Sequence, residues 1–436
     1  MAAPVRAFRG SILHFREDPG SASPASSYEY LEDGVLVVEG SRIARVVPAR
    51  DAALPKEIEV VDHRGRLIVP GFIDAHVHYS QTDVIASPGK NLLDWLERFT
   101  FPAEARFGDP AHAREVAEFF LDELARNGTT SALVMATCHR ASADAFFEAA
   151  ERRDLRMAAG QVMMDRHCPE ELRGSELERH THELIERWDR KGRLHYAITP
   201  RFAITSSPEQ LALAGRLAKA HPDAFVHSHL AEHPDEVARV RELFPECRNY
   251  LDVYARHGLL RERSVYAHCI HLEPEDRRLM GEAGAVAAFC PTSNLFLGSG
   301  LFDLEASDQA GLRFALGTDV AGGTSFSMLR TMEEAYKVAQ LQGQHLTATR
   351  AFYLATLGSA RALRLDDRIG SFEPGREADF IVLDPDATPL LARRQRAART
   401  LEERLFAWMV LGDERAVGAT YVLGEAVKPP RPSRPG

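Results

Sequence analysis

Residues 70–78 read PGFIDAHVH, and the run leading into them, LIVPGFIDAH (67–76), reads as a buried strand. Along an extended chain, residues i and i+2 face the same side. His76 and His78 can therefore converge on one ion from the end of a single strand. The spacing alone is weak evidence, because His180 and His182 repeat it. That second pair sits in a charged, helix-like stretch, where i and i+2 diverge, and reads as solvent-exposed.

Outward from this strand the chain keeps one rhythm. Seven further candidate strands follow: TTSALVMAT (129–137), MAAGQVMMD (157–165), LHYAITPRF (194–202), FVHSHLAE (225–232), SVYAHCI (264–270), AVAAFCP (285–291) and RFALGTDV (313–320). Helical periodicity lies between them, as in AHAREVAEFFLDELARNG (111–128), stopped by Gly128, and PEQLALAGRLAKA (208–220). Eight strands with crossover helices are the number that closes a (β/α)8 TIM barrel, an α/β fold. An open doubly wound sheet is the alternative, but no GxGxxG turn follows the first strand.

The ends read differently. VRAFRGSILHF (5–15), GVLVVEG (34–40) and RIARVVP (42–48) are strand-like, as are ADFIVLD (378–384) and GATYVLGEAV (418–427). Segments 1–68 and 371–436 are expected to pair into a small β-sandwich beside a metal-dependent barrel over 69–370. The closing PPRPSRPG (429–436) reads as a frayed tail.

The first pair of histidines gains weight from its company. His229 lies near the end of the fifth candidate strand, His268 in the sixth and Asp319 at the end of the eighth. The carboxyl ends of barrel strands are where active sites assemble. Three imidazoles and a carboxylate suit zinc and leave room for a water, though residue type also admits iron or manganese. In HSH (227–229) both rings share a face. His229 is the chosen ligand because Glu232 follows beyond the strand end, within reach of a substrate, which leaves His227 one layer deeper.

Composition narrows the partners. The 436 residues, 45% of them hydrophobic, suffice for a barrel plus a satellite domain. A net charge of −10 repels a phosphate backbone, so no nucleic-acid partner is expected. Five scattered cysteines, odd in number and never CxxC, argue against a disulfide framework and for a reducing compartment. The start, MAAPVRAFRGSILHF, lacks the pattern of a signal peptide, and no run approaches the ~18 apolar residues of a membrane helix. The expectation is a cytoplasmic enzyme with no membrane partner. CPE (168–170) and CPT (290–292) resemble parts of the HxE…PCxxC deaminase signature, but no PCxxC exists in the chain.

Taken together, PGFIDAHVH (70–78), SHLAE (228–232), AHC (267–269) and GTDVAGG (317–323) resemble the amidohydrolase superfamily. HLAE is similar to the HxxE of its deaminase branch. YSQTD (79–83), LLDWLERFTFPAEARF (92–107), NGTTSALVMAT (127–137), TPRFAITSS (199–207) and GTDVAGGTSFSML (317–329) are similar to its guanine deaminases. The likeness runs on through GSFEPGREADFIVLD (370–384) and FAWMVLGDERAVGATYVLGE (406–425), covering nearly the whole chain.

The resemblance implies hydrolysis of guanine to xanthine and ammonia, one Zn2+ per chain held by His76, His78, His229 and Asp319, and a homodimer. A metal lowers the pKa of bound water from about 15.7 toward ~7. Asp319 is expected to take the water proton, Glu232 to protonate the ring nitrogen beside the attacked carbon, and His268 to hydrogen-bond the nucleophile or leaving group. Gln81, Arg201 and Phe202 are the implied readers of the base, beside His78, His229 and Glu232. Trp95, at helical spacing with Leu92 and Leu96, reads either as a cap on this pocket or as core.

Three rivals remain. Another purine, pterin or triazine deaminase or dechlorinase shares the metal residues and differs at Gln81 and Arg201. A non-catalytic scaffold of the same barrel tolerates loss of ligands, and none is lost here. A hydantoinase-type ring opening needs a bridging lysine on the fourth strand, where TPRF offers Arg201.

Overall fold

The computed structural model describes residues 4–55 and 58–428, so the expected tail over 429–436 falls outside the described residues. Four strands come first: β1 (Val5–Phe15), β2 (Tyr28–Glu39), β3 (Arg42–Pro48) and β4 (Glu59–Pro70). The barrel strands are β5 (Phe72–His78), β6 (Thr129–Met135), β7 (Arg156–Gly160), β8 (Val162–Met163), β9 (His195–Pro200), β10 (Phe225–Leu230), β11 (Ser264–His268), β12 (Val286–Phe289) and β13 (Arg313–Leu316). They run in the order β5-β6-β7-β9-β10-β11-β12-β13, with β8 carrying the line of β7 onward beside β9. Their pairings are parallel. The ring closes where Asp319 N–H donates to the His76 carbonyl at 2.9 Å and His78 N–H to that of Val320 at 3.1 Å.

Helices cover the outside of this ring and side chains fill its inside, so its strands read as unbroken apolar runs. All seven residues of β5 and of β6 are buried. The same continuity hid one boundary. LIVPGFIDAH is two strands, not one. Leu67–Pro70 end β4, pairing antiparallel with residues 380–383 and parallel with β1. The barrel begins only at Phe72. Gly71 between them passes so close to β6 that a Cβ there would lie 2.1 Å from Thr130 Oγ1. Both halves are buried on both faces, so hydropathy cannot mark the crossing.

The two ends of the chain do meet. β14 (Phe380–Leu383), β15 (Val417–Val422) and β16 (Glu425–Lys428) complete a seven-stranded mixed sheet in the order β16-β15-β14-β4-β1-β2-β3. Phe8, Leu36, Ile68, Phe380, Val382 and Tyr421 share its core, drawn from both termini. Two helices, Pro389–Ala397 and Leu401–Leu411, interrupt the strand-like C-terminal segment. The second is hidden in the sequence because LFAWMVL is apolar on every side; it buries Leu405, Trp408 and Met409. Among the described residues no helix is long and apolar enough to cross a membrane, and all five cysteines are free.

Candidate metal centre and active site

Strand alternation sends His76 and His78 inward from β5 and His227 and His229 inward from β10. Asp319 joins them because its backbone is hydrogen-bonded beside His76. His78 Nε2 lies 3.2 Å from both His76 Nε2 and His229 Nε2. Asp319 Oδ1 is 3.1 Å from His76 Nε2 and 3.3 Å from His78 Nε2. His229 Nδ1 donates to the Arg201 carbonyl at 2.8 Å, so its Nε2 carries a lone pair. His76 Nδ1 lies 2.7 Å from His227 Nε2, one layer below. Burial lowers His76 to about 4 and holds His229 well below the usual imidazole range. Burial pushes the Asp319 carboxyl upward, but the His76 ring beside it and hydrogen bonds from His76 and His78 outweigh this and hold it well below its ordinary value.

Inward-facing imidazole lone pairs packed this closely repel unless something positive lies between them. Donors about 2.0–2.2 Å from one shared ion stand no more than roughly 4.4 Å apart, a limit that these spacings meet. The residues therefore fit the group that the sequence pattern implies.

His268 faces the same centre from β11. Its Nδ1 is 2.9 Å from Asn294 Oδ1, which turns Nε2 toward Glu232 Oε2 at 3.2 Å and Asp319 Oδ2 at 3.8 Å. His268 and Asp319 both adopt left-handed backbone, with φ of 71° and 51°. Such conformations cost about 1–3 kcal/mol and collect at functional sites. Glu232 is 3% exposed and accepts from Ser299 Oγ at 3.1 Å. Burial, and then the Asp319 charge, push its carboxyl up to about 8, so it holds a proton at neutral pH.

A pocket opens onto these groups, lined by Gln81, Trp95, Arg201, Phe202 and Glu232 among others. Trp95 Nε1 donates to the Ser87 carbonyl at 2.9 Å, which holds the indole at the pocket wall. Gln81 Nε2 donates to Glu104 Oε1 at 3.0 Å, and Ala321 N–H approaches Gln81 Oε1 at 3.4 Å. Arg201 Nη1 donates to both oxygens of Glu104, at 2.8 and 2.7 Å. The Phe202 ring meets His229 edge-on at 6.4 Å.

Residues 67–427 match the amidohydrolase family. The chain belongs to that family. It is 49% identical to the guanine deaminase of Escherichia coli, over 97% of this chain and 98% of that protein. The solved structure of E. coli guanine deaminase superposes with a TM-score of 0.94 at 47% identity, covering 98% of this chain and 99% of the other. A guanine deaminase from C. acetobutylicum, solved with guanine bound in its active site, gives a TM-score of 0.86 at 30% identity, covering 97% and 99%.

In this amidohydrolase the structure brings every residue singled out from the sequence to one place. The dismissed pair, His180 and His182, lies elsewhere, but it is half-buried rather than solvent-exposed. The helix Leu177–Trp188 is amphipathic and both rings sit on its flank, where His182 Nδ1 meets His221 Nε2 at 2.8 Å. Sequence reasoning missed Glu104, Asn294, Ser299 and Asp74. Asp74 belongs to the same inward face as His76 and His78, which was a usable signal, and it accepts from Thr318 N–H at 3.0 Å and from the Thr318 hydroxyl. Glu104 offered no signal, since its partners are 23 and 97 residues away.

Proposed function

We propose that this amidohydrolase converts guanine and water to xanthine and ammonia. The observation that carries the reading is that a buried Glu232 and two edge-reading groups, Gln81 and Arg201, line one pocket together with His78, His229 and Asp319. Similarity to guanine deaminases along almost the whole chain supports it.

His76, His78, His229 and Asp319 hold one Zn2+ per chain in this reading, and His227 steadies His76 from behind. When bound, the ion lowers the pKa of a coordinated water toward ~7. Asp319 accepts the proton of the attacking water. Glu232 gives its proton to the ring nitrogen beside the attacked carbon, which breaks aromaticity as the new C–O bond forms. His268, aimed by Asn294, hydrogen-bonds the incoming oxygen or the departing amine. The C–N bond then breaks as the proton held by Asp319 passes to the amine, which leaves as ammonia, while the new hydroxyl returns a proton to Glu232 and becomes the carbonyl. Gln81 and Arg201 meet the polar edge of the base while Phe202 and Trp95 enclose its faces. Leaving such buried polar readers unpaired costs a wrong substrate on the order of 10⁴-fold. By family resemblance the enzyme works in the cytoplasm as a homodimer.

An ultraviolet assay of metal-loaded protein against guanine, adenine, cytosine and pterins tests the assignment. Turnover of guanine is expected, with Gln81→Ala and Arg201→Ala each losing most of it while retaining metal. Guanine turnover unchanged in both variants would overturn the substrate.

A further inference from the structure

Glu104 does not line the pocket, yet it touches both side chains assigned to reading the base. It lies in the short helix Phe101–Ala105 and is wholly buried. We propose that Glu104 is a positioning residue for substrate recognition: its one carboxylate fixes Gln81 and Arg201 together, and so sets the pattern of donors and acceptors that the purine edge meets. This rests on the guanine reading above.

A carboxylate paired with Arg accepts hydrogen bonds and donates none. It therefore selects the amino side of Gln81, and the carbonyl Oε1 must turn the other way, where Ala321 N–H supports it only loosely at 3.4 Å. Oε1 keeps a lone pair for a donor on the substrate. Without Glu104 the amide has two nearly equivalent orientations, and the wrong one offers a donor where an acceptor is needed. On the other side, Glu104 engages Arg201 through Nη1 alone, at 2.8 and 2.7 Å. The remaining N–H groups of the guanidinium are left for substrate, and the Phe101 ring lies 5.7 Å from its Cζ. The pair also cancels the Arg201 charge, which matches the pocket to a neutral base rather than an anion.

Because both readers touch the base before and during reaction, their misplacement should raise KM more than it lowers kcat. The test is a double-mutant cycle on guanine with wild type, Glu104→Gln, Gln81→Ala and the double variant, with metal content and Tm measured beside the kinetics. Glu104→Gln should raise KM about tenfold or more, with kcat within about threefold of wild type and metal content unchanged. Glu104→Asp, which keeps the charge, should recover part of that loss. In the Gln81→Ala background the cost of Glu104→Gln should shrink threefold or more, since one of its two targets is gone. Equal costs in both backgrounds, or a loss confined to Tm, would overturn the proposal. Should Glu104→Gln fail to fold, the same cycle is run with Glu104→Asp and judged in the same way. Wild type inactive on guanine overturns the substrate reading and this proposal together, whereas active wild type with equal costs overturns the role of Glu104 alone.

Discussion

At the residue scale, Glu232 joins an observation to a chemical step. The carboxyl keeps its proton because burial and Asp319 disfavour its charge, and Ser299 holds one oxygen while the other faces His268. A glutamine there preserves size and hydrogen bonding but carries no acidic proton. General acid catalysis is worth about 10²–10⁴-fold. Glu232→Gln should lower kcat by about that factor, with guanine still bound and metal content unchanged. Stopped-flow binding and elemental analysis, run beside the turnover assay, check both halves. A variant that lost its metal instead would show that Glu232 supports the centre rather than the proton transfer.

At the scale of the strand, position along the element separates the proposed ligands from the residues behind them. On β10 His229 stands at the mouth, and His227, two residues earlier, reaches the far nitrogen of His76 at 2.7 Å. Groups that orient a ligand from behind typically account for 10–100-fold in metal affinity. His227→Ala should weaken the ion by about that much in a chelator competition, with Tm measured beside it because the ring is wholly buried. This ordering was legible in the sequence because β-strands have a period of two and the HSH spacing exposes it. The eight strands were legible for a related reason, their sustained apolarity. That same apolarity concealed the break at Gly71, since nothing polar marks the passage from β4 to β5. It also concealed the helix Leu401–Leu411, which is apolar all round. Glu104 was illegible for a different reason. A buried charge is recognised by its partners; Gln81 lies on another element of the same β5–β6 connection, and Arg201 follows β9, brought near only by the curvature of the barrel.

At the scale of the whole molecule, the terminal sheet is tied to the barrel at the face opposite the metal residues. Glu377, just ahead of β14, accepts from Arg156 Nε at the start of β7 and from Arg193 Nε ahead of β9, at 2.9 and 3.0 Å. Asp379 pairs with Arg193 and also accepts from Leu423 N–H at 2.9 Å. Removing one partner of a buried pair strands the other, at about 3–5 kcal/mol. At about 2.1 cal/mol/K per residue, Glu377→Ala should lower Tm by roughly 3–6 °C, while KM for guanine stays unchanged. His195 belongs to the same junction, its Nε2 3.3 Å from Arg156 Nη1. Burial, and then the Arg156 charge, lower this imidazole to about 4, against an unfolded value near 6.5. The folded protein therefore binds fewer protons than the unfolded chain between those two values. Stability from the neutral ring is complete above pH 6.5 and is lost as pH falls toward 4. His63, lowered to about 4 chiefly by burial within the terminal sheet, acts in the same direction. Tm should thus fall steeply across this window, and His195→Gln, which cannot titrate, should make the fall shallower. A variant with the wild-type slope would place the acid sensitivity elsewhere, and the His63→Gln protein, scanned over the same range, would then show whether the terminal sheet carries it instead.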